Sequence, residues 1–143
     1  MIERILLKAI SSVALLSGLI AAGCTASPTV QPNTIVPSPA TMTETFTGTV
    51  GVQGSDTHTF TVAQTGAVDI TLTAVVPASN TTMGLGVGTP TGLSCFAVAS
   101  VQSQAGPTPQ LRGTALAGQL CVIVYDIGNL TDPVDYTVTV AHP

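Results

Sequence analysis

Ser55-Asp56-Thr57-His58 places a hydroxyl, a carboxylate and an imidazole side by side, the three groups that hydrolytic chemistry uses as nucleophile, orienter and base. Neighbours in one stretch of chain do not converge on a reacting atom, because the three side chains must approach it from separate directions. Ser and Asp are also what a hairpin turn selects, so the segment reads as a turn entering a strand, with His58 on the solvated side. His142 stands beside Pro143 and reads as part of a frayed terminus. The sequence contains neither a Gly-Lys-Ser/Thr phosphate loop nor a Gly-x-Ser-x-Gly elbow. No catalytic residue is assigned, and a non-enzyme is expected.

A second group is Asp126, Asn129, Asp132 and Asp135, oxygen donors closely spaced near the end of the chain. Calcium takes about six to eight oxygen ligands, and loops at the end of a β-sandwich can supply them, so these four are the candidate calcium site. Their spacing fits no EF-hand, and Asp and Asn are also ordinary turn formers. Asn80-Thr81-Thr82 and Asn129-Leu130-Thr131 have the form of glycosylation sequons. A sugar platform would need exposed aromatic rings. Phe46, Phe60, Phe96, Tyr125 and Tyr136 all fall in the apolar phase of strand patterns, so core packing accounts for them.

The third group is the cysteines. Arg4 and Lys8 precede the uncharged run Ala9–Ala22, which ends in Ala21-Ala22-Gly23-Cys24. As a helix that run spans only about 21 Å, against a hydrocarbon core of about 30 Å, so it reads as a signal-peptide core rather than a membrane span. Small residues before a cysteine resemble the bacterial lipobox, with Ala21 where Leu is usual. The resemblance implies cleavage before Cys24 and lipidation (palmitate and related acyl chains) on Cys24. It also implies export to the cell envelope facing away from the cytoplasm, and Thr25 in place of Asp favours an outer membrane where one exists. Several acyl chains together anchor a protein stably. With Cys24 taken, Cys95 and Cys121 form an even pair in an oxidising compartment. They are expected to form a disulfide between adjacent strands or facing sheets, although two buried free thiols fit the same pattern.

The elements that must position these groups follow from composition. Only 7% of the 143 residues are charged while 45% are hydrophobic, which argues against disorder. Thr and Val in place of Lys, Glu and Arg argue for strands. Beyond residue 8 the only Lys or Arg is Arg112, so a nucleic-acid partner is excluded. Residues 24–43 carry four prolines among small polar residues and read as an extended linker between the leader (1–23) and a folded domain (44–143). Within the domain, Phe60 and Val62 share one face of their strand. Val68, Ile70, Leu72 and Ala74 alternate with polar residues, as do Tyr136, Val138 and Val140. Met83, Leu85 and Val87 alternate with Gly84, Gly86 and Gly88, a strand expected to be bent or closely approached. Leu93–Val101 and Gln119–Asp126 are almost continuously apolar and read as central strands buried on both sides. With Phe46–Val52 and Gln110–Ala115 the count is about eight strands. That suits an all-β, antiparallel two-sheet sandwich, jelly-roll or immunoglobulin-like.

The domain resembles the bacterial pre-peptidase C-terminal (PPC) β-sandwich, an accessory module of secreted proteases and surface proteins. Phe46-Thr47-Gly48, His58-Thr59-Phe60-Thr61-Val62, and Gly66 followed by Val68-Asp69-Ile70-Thr71-Leu72 match its first three strands. Gly118 before Cys121-Val122-Ile123-Val124-Tyr125, then Tyr136-Thr137-Val138-Thr139-Val140, match its closing pair. Where that family has an Asp-rich central strand this chain reads Thr82-Met83-Gly84-Leu85-Gly86-Val87, so no ligand site is carried over. The resemblance implies a non-catalytic module that binds an extracellular protein or polymer such as a polysaccharide. The alternative is a purely structural envelope lipoprotein.

Overall fold

The structure is a computed structural model that describes residues 40–143; the leader, Cys24 and nearly all of the linker lie outside the described residues. Eight strands make up the domain. They are β1 (Met42–Val50), β2 (Ser55–Val62), β3 (Gly66–Val76), β4 (Met83–Thr91), β5 (Ser94–Ser103), β6 (Leu111–Ala115), β7 (Gly118–Tyr125) and β8 (Val134–His142). All pair antiparallel. The two four-stranded sheets have the orders β1-β8-β3-β6 and β2-β7-β4-β5. An immunoglobulin sandwich pairs its first two strands in one sheet. Here only β4 and β5 are consecutive strands that pair, and the other connections cross between sheets. The jelly-roll alternative is therefore the one adopted.

Alternation builds the core. In β8, Val134, Tyr136, Val138 and Val140 face inward and are at most 5% exposed, and Phe60, Val62, Val68, Ile70, Leu72, Met83, Leu85, Val122 and Val124 meet them from both sheets. Each such side chain contributes about 1.5–3 kcal/mol by leaving water. The β3 alternation breaks where its register against β8 shifts between Leu72 and Ala74, a bulge that buries Val75 instead of Ala74. Gln110 stabilises this break: its side chain accepts the Leu72 N–H at 2.7 Å and donates to the Leu72 carbonyl at 3.3 Å.

The glycines of β4 make room on the outer face of their sheet. The Tyr125 ring lies where a Cβ on Gly84 would project, and the Phe96 carbonyl where a Cβ on Gly88 would. The second approach coincides with a bulge between Val87 and Gly88 in the β4–β5 ladder.

The expectation for Leu93–Val101 is corrected. The segment belongs to β5, which is an edge strand, with Phe96 67% and Val98 70% exposed and Leu93 fully exposed in the turn before it. Phe96 therefore does not pack in the core. An unbroken apolar run has no phase to tell two buried faces from two open ones. Gln119–Asp126 supplies β7, which is central between β2 and β4 as expected.

Cys95 and Cys121 form a disulfide, with Cα atoms 5.8 Å apart. It joins neither adjacent strands nor facing sheets. It links β5 to β7, the two strands that flank β4 in one sheet. The β4–β7 ladder ends at Gly88 opposite Cys121, while Cys95 lies opposite Pro90, so the bridge closes just past the end of that ladder. The core lies wholly within the described residues.

Candidate functional site

Ser55–His58 is not a turn but the first half of β2, paired with β7. His58 is in phase with Phe60 and Val62 and points between the sheets, where Phe46 stacks on its ring with centroids 4.9 Å apart. Tyr136 Oη donates to Asp56 Oδ2 at 2.9 Å, and His58 Nε2 lies 2.7 Å from the same Oη. The hydroxyl has one proton and gives it to Asp56, so Nε2 carries a proton and donates to Tyr136. Burial, then the hydrogen bond and charge of Asp56, push the Tyr136 hydroxyl well above its ordinary value of 10.0. Gly48 makes the arrangement possible, because Asp56 Oδ2 and the Tyr136 hydroxyl fill the space a side chain there would need. The expectation of a solvated His58 is thus replaced by a bonded chain tying β2 to β8. A glycine inside the β1 pattern was its one sequence signal.

His142 is not frayed. It is fully buried in the inward phase of β8, with Nε2 2.9 Å from Glu44 Oε1 on β1 and its ring 5.2 Å from Phe60. A last strand paired on both sides holds its end, which position along the chain does not reveal.

The candidate calcium residues are not gathered into a ligand set. Among the described residues no group of three His, Cys, Asp or Glu is placed to hold a metal ion. Asp126 Oδ1 accepts the N–H groups of Gly128, Asn129 and Leu130, and Oδ2 accepts that of Gln53. Backbone amides thus take the place a cation would have, and the Gln53 amide foremost holds the Asp126 carboxyl below the ordinary carboxylate value. Gln53 is the one non-glycine residue with positive φ among those described, at 58°, and Asp126 ties down that turn. Asn129 donates to the Thr82 carbonyl, Asp132 accepts from Thr131, and Asp135 accepts from Thr49.

On the opposite flank, between β6 and the β4, β5 and β7 layer, lies an apolar cleft of about 390 Å³. Ile70, Val87, Leu111 and Leu120 line it. Val98 and Leu116, 70% and 76% exposed, stand at its mouth. The volume is within the about 300–1,000 Å³ typical of ligand pockets. Arg112 contributes to the rim, but its Nε lies 3.7 Å from Asp69 Oδ1, its cross-strand partner in the outward-facing phase of the sheet. A second hollow, of about 430 Å³, lies between Phe46, Thr57, His58 and Thr59 on one side and Gly92, Leu93 and Ser94 on the other. Its one imidazole is the His58 whose Nε2 is already engaged. The cleft offers apolar contact, and the second hollow adds the His58 ring to a lining of small polar residues. Compared with known proteins, the chain matches no family model and no curated protein.

Proposed function

We propose that this chain is a membrane-anchored, non-catalytic cell-envelope lipoprotein whose sandwich acts as an accessory or binding module for an extracellular protein or polymer. The open apolar cleft carries this reading. A spacer has no use for unburied Val98 and Leu116 beside a ligand-sized hollow, whereas a binding module does. The Ala21-Ala22-Gly23-Cys24 segment supports the anchor. On this reading the domain resembles the PPC module in role as well as in strand motifs.

Two experiments test it. Immobilised Glu44–Pro143 is expected to retain a component of envelope extract that the Leu116→Asp variant does not retain. Equal retention, or none, favours the purely structural lipoprotein. Separately, Cys24→Ser is expected to abolish palmitate labelling and leave the protein uncleaved or released; a variant that still labels overturns the anchor.

A further inference from the structure

We propose that β5 is a self-pairing edge, along which two copies of this chain join antiparallel about a two-fold axis and continue the β2-β7-β4-β5 sheet from one molecule into the other. The sandwich has four edge strands. Glu44 lies on β1, Asp56 and His58 on β2, and Arg112 on the five-residue β6. β5 is ten residues long and has no charged residue. The whole stretch from Ile70 to Leu111 contains no Asp, Glu, Lys, Arg or His, so the surroundings of this edge are uncharged as well.

Symmetry makes that absence informative. In a two-fold pair each group near the axis meets its own copy, so a charge on the edge would face a like charge. A foreign strand would instead be selected by opposite charges, and β5 offers none. Protein edges are commonly guarded by Lys or Pro, and β5 has neither. Its guard is the bulge opposite Gly88, between Ala97 and Ala99, which leaves Ala99–Ser103 as the regular stretch available for pairing. The Cys95–Cys121 bridge already fixes the start of the strand, so less conformational freedom remains to be lost on association. This pairing goes beyond the proposed function and does not depend on what the cleft binds.

Analytical ultracentrifugation of the unlipidated chain from Thr25 onward, from about 1 μM to about 1 mM, tests it. The mass is expected to double with concentration. Ser100→Lys with Gln102→Lys, at two exposed positions, is expected to weaken association at least tenfold, as is the matching pair of Asp substitutions. Mixing the Lys and Asp proteins restores the doubled mass, because opposite charges then face each other across the axis. Thr45→Lys with Thr47→Lys, at exposed positions on the β1 edge, leaves association unchanged, with circular dichroism verifying the fold of each variant. The proposal is overturned by a monomer at every concentration, by a mixture that remains monomeric, or by an association lost through the β1 charges and not the β5 ones.

Discussion

Where β1 faces β2, the Tyr136 hydroxyl from β8 reaches Asp56 and His58 in the opposite sheet, and Phe46 stacks on that imidazole. Where β6 faces β5, the sheets stand around an apolar cleft, and among the described residues no side-chain hydrogen bond joins those two strands. The first flank is held by directional contacts with narrow distance limits, which fix one sheet's alignment on the other. The second is held by apolar contact, which has no preferred direction, and by a disulfide that ties β5 to its own sheet instead of to the facing one. A sandwich closed by polar bonds on one flank can leave the other flank available for contact with something else.

The contrast can be broken from either side. Reducing Cys95–Cys121 acts on the open flank and has the largest expected effect. Its 26-residue separation corresponds to about 3.5 kcal/mol of loop-closure entropy in the unfolded chain, so reduction should lower unfolding stability by about 2–4 kcal/mol in urea titrations. Tyr136→Phe acts on the latched flank. It leaves the Asp56 carboxylate and the His58 N–H without their partner and should cost about 1–3 kcal/mol. Because the folded-state Tyr136 value is raised, its contribution is fully present below the ordinary 10.0 and is lost as pH rises above that. The wild type should therefore show an alkaline loss of stability that Tyr136→Phe lacks.

Asp126 has the opposite sign. Its folded-state value is lowered, so its contribution is present above the ordinary carboxylate value and disappears as pH falls through the lowered one. Asp126→Asn should flatten the acid limb of stability against pH while leaving the alkaline limb alone. The smallest effect sharpens the comparison. Leu116→Asp at the cleft mouth should change stability by no more than about 0.5 kcal/mol, as expected for a side chain already in water. A large loss would mean that the open flank is part of the core.

The fold class was legible because β8 and the first half of β3 alternate strictly, and a two-residue period can face a core in only one way. Cys95 and Cys121 were legible as a pair, but which strands they join depends on the order of strands across a sheet, and no local pattern encodes that order. The edge position of β5 is hidden from the sequence for the same reason. The places of His58 and His142 are not legible locally, because their partners, Tyr136 and Glu44, lie far along the chain. Gln110 gave no signal at all, since its role is to bond a strand that has lost its regular ladder. The acidic loop showed the right residues for oxygen chemistry, but the amide groups that Asp126 takes became visible only with the backbone in place.

β8 is the second strand of its sheet in space and the last in sequence, paired with β1 on one side and β3 on the other. Met42 lies opposite His142, so nearly the whole domain is one loop closed by that pairing. The contact order is correspondingly high, and the loop-closure cost comes before most of the sheet's bonds can form. A chain delivered with its N-terminus first cannot assemble this sheet until Val134–His142 has emerged. Closure of the β1-β8-β3-β6 sheet is therefore a late event in the folding of such a chain.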